Sequence, residues 1–322
     1  VVHECCCYAD GVQYLPRRWT QLRWLRNLSG YELVVAADGR SVALREGAHA
    51  EVGLPGSWCV LNDIVARRNL AHFFSDLLPQ LAAIRRLHQH DPSLGVIASS
   101  GYLPNVERLL QLLLPGVAVW RRPDGPPAEV PRLRVERLLL QPVAFNGGVG
   151  FHPQFAREWW LALADLREGL EVLRAALEAH TPSNPIGLRD HWLCLHRNLR
   201  LPTEAPQGRF FSNHAQLLER LADAGVLVID PGNHDIRALY PLLRGARGFV
   251  GIHGAGLANT FLAPAGSRVI EIRPHGGTWG MLELLGRASG MAWSVSRGDA
   301  DPVDPAHSLV DVDALLEQIQ EH

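Results

Sequence analysis

The stretch 245–274, GARGFVGIHGAGLANTFLAPAGSRVIEIRP, constrains this chain more than any other. Two apolar, β-rich runs, 248–252 and 267–272, flank the turn His253-Gly254-Ala255-Gly256. The pattern predicts a buried parallel strand, a tight turn, a helix over 255–262 and a second strand. Glycines in the turn permit positive φ and let a ligand approach where a Cβ would stand. The unpaired N–H groups and dipole of the new helix favour an anion, so the corner suits a phosphate or diphosphate. Glu271 follows at about the 20-residue distance at which dinucleotide folds place the acid that holds a ribose hydroxyl. The plainer alternative is a tight turn in which His253 caps the helix and Glu271 pairs with Arg273 or Arg268. The order G-x-x-G-x-G also departs from the dinucleotide fingerprint.

At 322 residues the chain is long enough for two domains of ordinary size. It is 47% hydrophobic and 20% charged, with a net charge of -2. That balance excludes a general binder of nucleic acid or of membrane surfaces, and no apolar run spans a bilayer. The positive residues are almost all arginine. Cys5, Cys6, Cys7, Cys59 and Cys194 show no C-x-x-C spacing, which points to a reducing compartment and a cytoplasmic protein. The chain begins at Val1, with neither an initiator methionine nor a signal-peptide pattern, which leaves a processed or cloned boundary open.

Taken in order, residues 1–60 mix short β-like runs with turns at Asp38-Gly39 and Pro55-Gly56. Residues 69–90 then read as a helix, 94–100 as a buried strand, 105–114 as a core helix, and 117–120 and 134–140 as further strands. A long helix over 155–180 precedes the linker TPSNP at 181–185. The second half alternates again: strand 191–195, helix 215–224, strand 226–229, helix 235–243, then the opening stretch. Two β-α-β successions predict two parallel sheets covered by helices. The expected domains are 1–180 and 181–322, with an amphipathic helix over 310–320 that either packs back on the first domain or pairs subunits.

His72 and Asp76, four apart on a predicted helix, share one face. An aspartate there fixes the imidazole tautomer and raises its basicity, as a general base requires; the alternative is an exposed pair of little worth. Asn69 precedes this helix as a predicted N-cap and lies near the cleft. His152, in the glycine-bearing loop FNGGVGFHP, is either a turn residue ahead of Pro153 or a cleft residue. Arg197 emerges just past a strand end, where open α/β sheets bind ligands. Arg209 leads into a helix for which Asn213 is the expected N-cap.

Several of these residues, taken together, resemble glycosyltransferase family 61. They are Asn69-Leu70-Ala71-His72-Phe73 with Asp76 and Leu78-Pro79; Gly150-Phe151-His152-Pro153; Arg209-Phe210-Phe211-Ser212-Asn213; and Gly251-Ile252-His253-Gly254-Ala255-Gly256-Leu257-Ala258-Asn259 with Glu271 and Pro274. The resemblance covers roughly residues 60–275. It implies an α/β protein of GT-B fold, two Rossmann-like domains facing each other across a cleft, the first on the acceptor side and the second holding the donor. It also implies an inverting transfer from a nucleotide sugar, a UDP-sugar foremost, to a hydroxyl of a glycan or glycolipid in bacterial polysaccharide, capsule or O-antigen synthesis. No metal is expected. On this reading His253, Gly254, Ala255, Gly256, Leu257, Asn259, Arg197, Arg209, Asn213 and Glu271 bind the donor. Asp76 or His72 supplies the base, and Asn69 and His152 line the acceptor side. His214 stands where many relatives carry glutamate, and Asp235-Ile236 where they carry Glu-Gln, which leaves the donor base and sugar open. Two other readings remain: a sugar-nucleotide-binding domain of a larger multienzyme chain, and an NAD-dependent oxidoreductase.

Overall fold

The computed structural model describes residues 2–3, 6–9, 12–14, 34–35, 42–43, 51–61, 63, 66–123, 131–139, 156–181, 191–196, 211–277 and 280–321. The chain forms two compact units, neither contiguous in sequence. One takes Val1–Ile64, Ile84–Tyr102 and Gly116–Val143, the other Val65–Ala83, Leu103–Pro115 and Ala144–His322.

The first unit is built on a parallel sheet of β1 (Glu51–Val60), β2 (Gly95–Ser99), β3 (Ala118–Arg122) and β4 (Arg132–Leu139), in the order β3-β2-β1-β4. Residues 51–60 form one strand although Pro55-Gly56 reads as a turn. The register against β4 shifts between Leu54 and Ser57, and Gly56 has φ 79°, so the Pro-Gly pair makes a bulge within the strand. Leu54, Ile97 and Leu133 form the buried centre. Trp58 lies opposite Gly95 on β2, and a Cβ on that glycine would lie 2.5 Å from the indole. The glycine is there to admit the ring.

The second unit carries β5 (Trp192–Leu195), β6 (Leu227–Ile229), β7 (Gly248–Ile252), β8 (Arg268–Arg273) and β9 (Ala292–Arg297), all parallel, in the order β6-β5-β7-β8-β9. The same device recurs: Trp192 lies opposite Gly248, where an added Cβ would come within 2.8 Å of the ring. Parallel strands this apolar need cover on both faces. The helices of this unit are α1 (Leu70–His72), continued by a π-turn over Phe73–Leu77 into α2 (Leu78–His90), α3 (Pro104–Leu113), α4 (Ala156–Glu178), α5 (His214–Asp223), α6 (Ile236–Gly245), α7 (Met281–Ala288) and α8 (Val312–Gln320); α2 runs on into the first unit. Leu166, Leu170, Leu173 and Leu177 make the buried stripe of α4. Gly169 on that helix lets Leu78 approach to 2.5 Å of where a Cβ would stand. The C-terminal helix α8 packs on α5, adding Val312, Leu315 and Ile319 to the core around Leu217 and Leu221.

Among the described residues, no helix is long and apolar enough to cross a membrane. The fold is thus α/β with two parallel, Rossmann-like sheets.

Candidate active site

In the second sheet the chain goes from β5 outward to β6 and then returns to the other side of β5 to lay down β7. That reversal is a topological switch point, outside whose carboxyl ends ligands bind in open α/β sheets. Two histidines mark it: His196 follows β5 and His253 follows β7. The His253 N–H continues the ladder by donating to the Ile272 carbonyl at 2.8 Å.

The turn after β7 differs from expectation in two respects. Neither Gly254 nor Gly256 has positive φ, and the segment beyond is a six-residue 3-10 helix, Leu257–Leu262, rather than a longer α-helix starting at 255. All six residues are buried, because α1, α4, α6, α7 and β7 pack around them. So short a helix brings little dipole, and Leu257 is core. Asn259 is buried with its Nδ2 on the Gly256 carbonyl at 2.7 Å, which locks the turn. Gly251 is needed for packing, since a Cβ would lie 2.7 Å from the Leu195 carbonyl oxygen. Gly254, Ala255 and Gly256 stay partly open, and an added Cβ at Gly254 would meet nothing nearer than 3.9 Å.

Glu271 has no exposed surface. One oxygen pairs with His253 Nδ1, and the other accepts from Arg273 Nη2 at 2.7 Å and Trp293 Nε1 at 2.9 Å. The Arg273 pairing is the plainer of the two sequence alternatives, and its geometry keeps both oxygens on protein donors rather than on a ribose. Burial by itself would raise the Glu271 pKa, but the bonds from His253, Arg273 and Trp293 hold it below the ordinary value. An ionised carboxylate only accepts, so His253 carries its hydrogen on Nδ1. Burial likewise works against the Arg273 charge, yet Glu271 and Glu283 raise its pKa.

The helix bearing His72 and Asp76 belongs to the same unit as this corner, and α1 packs directly on the 3-10 helix. Phe74 meets Phe261 edge to face, centroids 5.3 Å apart. Asn69 is the N-cap: its Oδ1 accepts from the N–H groups of Ala71 (3.0 Å) and His72 (3.4 Å). The wide turn over Phe73–Leu77, where the Leu78 N–H reaches back to the Phe73 carbonyl, precedes Pro79. Proline has no N–H to give and its ring crowds the carbonyl four residues earlier, so the helix opens there; such π-turns are frequent at functional sites. The opened turn holds His72 Nδ1 2.8 Å from Asp76 Oδ2, while Ser75 Oγ donates to Asp76 Oδ1 at 2.6 Å. The side chains are 20% and 7% exposed, so this is not a solvated surface pair.

Asn213 is not the side-chain cap of α5. Its amide pairs with the Val310 backbone in both directions, at 2.7 and 3.0 Å, and ties the start of α5 to the segment before α8. Arg197, Arg209 and His152 lie outside the described residues. His196 and His214 lie with ring centroids 6.2 Å apart; the sequence marked His214 only as a departure from the family pattern and did not pair it with His196. Burial and the neighbouring His196 lower the His214 pKa. A second polar cluster also escaped the sequence: in the first unit buried Asp63 accepts from the Ser99 N–H and hydroxyl, each at 2.7 Å, and from the Tyr102 hydroxyl. Among the described residues, no group of three or more His, Cys, Asp or Glu side chains is placed to hold a metal ion.

These features define a parallel α/β protein with a histidine-bearing corner at a sheet switch point and a second histidine–carboxylate pair on a helix that packs against the 3-10 helix beyond that corner. Residues 70–270 match the family model for glycosyltransferase 61, and the chain belongs to that family. Among solved structures it is similar to the E. coli heptosyltransferase WaaC with ADP, at 13% identity over 83% of this chain and 99% of that one, TM-score 0.37. The same enzyme with ADP-2-deoxy-2-fluoro heptose matches at 11% identity, with the same coverage and TM-score. A comparison with curated protein sequences found no match.

Proposed function

We propose that this glycosyltransferase is an inverting enzyme of GT-B type that moves a sugar from a nucleoside-diphosphate sugar, a UDP-sugar foremost, to a hydroxyl of a glycan or glycolipid. The observation that carries the reading is that the His72–Asp76 pair is held on an opened helical turn packed on the 3-10 helix that follows the histidine–glycine corner. One group accepts a proton and the other meets a leaving anion, as a single displacement requires.

In that displacement the acceptor oxygen bonds to the anomeric carbon as the bond to the diphosphate oxygen breaks, its electron pair leaving with the diphosphate. The acceptor's proton goes to His72 Nε2. His72 is favoured over Asp76 as the base because it is the more exposed of the two and its Nδ1 is engaged by Asp76, which orients the ring. Gly254, Ala255 and Gly256 offer backbone to the diphosphate, and His253, Arg197 and Arg209 meet its charge in place of a metal. The acceptor is taken beside the base, with His152 assigned to it. Two buried free thiols, Cys59 and Cys194, suit the reducing cytoplasm of a bacterium assembling polysaccharide.

The test is a thermal-shift panel of UDP, GDP, CDP and dTDP with and without chelator, since a ligand that binds only the native state raises its melting temperature. One nucleotide, UDP foremost, is expected to stabilise the chain in chelator. No shift from any of them overturns the reading, and retention of anomeric configuration in the product overturns its inverting part.

A further inference from the structure

His196 and His214 take no part in the mechanism above, yet they meet at the switch point of the second sheet. His196 follows β5 directly, and its N–H continues the ladder by donating to the Ile229 carbonyl at 3.0 Å. His214 opens α5, and the 6.2 Å between the ring centroids is too far for a direct bond between ring nitrogens. Each ring is half-buried, and one nitrogen of each, Nδ1 of His196 and Nε2 of His214, is enclosed without a hydrogen-bond partner. A buried polar atom left unpaired is costly, and a leucine or phenylalanine at either position would close the space without one. In a neutral ring an enclosed lone pair is tolerated better than an enclosed N–H. The hydrogen therefore belongs on the opposite nitrogen, Nε2 of His196 and Nδ1 of His214. Among the described residues no group accepts from either. Burial and the neighbouring ring lower the His214 pKa, which favours its neutral form.

We propose that His196 and His214 are specificity-determining residues that hold the ribose hydroxyls of the donor nucleotide. The inference rests on the transferase reading above and deepens it. Glu271 stands where a ribose-binding acid is expected, but both its oxygens are on protein donors, so the ribose finds its partners elsewhere. The histidine pair is within reach. β5 and β7 are adjacent, with Trp192 opposite Gly248 and Cys194 opposite Val250, which sets His196 and His253 nearly level just past the ends of neighbouring strands. Such strands lie about 4.8 Å apart, and a ribose joins its diphosphate through a single ester oxygen. A diphosphate on the glycine corner therefore leaves its ribose within reach of His196. Uncharged hydroxyls match neutral N–H donors, while the anionic part of the nucleotide goes to the backbone of the corner.

The test compares UDP, CDP and GDP with their 2′-deoxy and 3′-deoxy forms by calorimetry on the full chain. Wild type is expected to bind at least one ribonucleotide, and to bind it about 5- to 100-fold more tightly than one of its deoxy forms. His196→Phe and His214→Phe keep a ring of similar shape without its nitrogens. Each is expected to weaken the ribonucleotide by a similar factor and to leave a deoxy form near its wild-type affinity. In wild type the imidazole nitrogen NMR signals of both histidines are expected to shift more with the ribonucleotide than with the deoxy form, which keeps the test decisive if neither variant folds. Equal affinity for ribo and deoxy forms, unmoved imidazole signals, or variants that weaken all forms alike overturn the inference and leave the donor reading standing. Absence of binding by all three ribonucleotides overturns both.

Discussion

The protein holds two histidine–carboxylate pairs, and their construction differs. His72 and Asp76 are neighbours on a helix, four residues apart, with side chains 20% and 7% exposed. Their contact needs only a local turn, widened ahead of Pro79. His253 and Glu271 are 18 residues apart and come from adjacent strand ends, with the glutamate wholly enclosed. The first pair has one auxiliary donor, the Ser75 hydroxyl; the second has an arginine and an indole on a single oxygen. A lightly held, partly exposed pair can exchange its proton with a substrate. A pair locked by buried donors keeps a fixed charge distribution and orients what it touches.

The comparison is broken most directly at the first pair. His72→Ala is expected to lower the transfer rate by about 10²- to 10⁴-fold while leaving nucleotide affinity near wild type, the signature of a lost general base. Asp76→Asn is expected to give a smaller loss of the same kind, because the amide still contacts the ring but no longer favours its charged form. Near-normal turnover in both variants would move the base elsewhere.

The second pair is broken in stability before it is broken in rate. Glu271→Ala leaves Arg273 and His253 without their buried partner and is expected to cost about 3 to 5 kcal/mol. Asp76→Asn is expected to cost only about 1 kcal/mol. Urea unfolding midpoints for the two variants separate the pairs, and equal losses would erase the distinction. Acid sharpens it further. The Glu271 pKa is lower folded than in the unfolded chain, where it is near the ordinary 4.5. At pH values between the two, the unfolded state binds more protons, so stability rises with pH there. This contribution is present above about pH 4.5 and is lost as pH falls through the folded value. Glu271→Gln should flatten that part of the stability curve.

Much of this difference was legible before the structure, but unevenly. The short apolar runs and their order specify two parallel sheets because buried parallel strands must be apolar on both faces. Asn69 is a cap by residue type alone, and His72 and Asp76 meet through helical periodicity. The π-turn itself had no sequence signal other than Pro79. Pro55-Gly56 has the chemistry of a turn, and only pairing with β4 shows that the strand resumes beyond it. A carboxylate in the apolar run 267–272 announces a partner without naming it. Trp293 becomes that partner through the register of β8 with β9, a long-range fact. Asn213 illustrates the same limit: Val310, 97 residues away, takes the side chain that a local reading assigns to the helix end.

The finest test of the comparison is Ser75→Ala. Ser75 is buried, and its hydroxyl donates to Asp76 at 2.6 Å, on the oxygen that His72 does not use. Removing it costs about 1 kcal/mol of hydrogen bonding and leaves the carboxylate's charge less satisfied. Asp76 then holds the His72 ring less firmly, so kcat should fall by less than about tenfold. A hydroxyl that merely filled space would lower the melting temperature and leave kcat where it was. The same substitution is expected to leave nucleotide affinity unchanged, and a loss there would mean that the two pairs act as one.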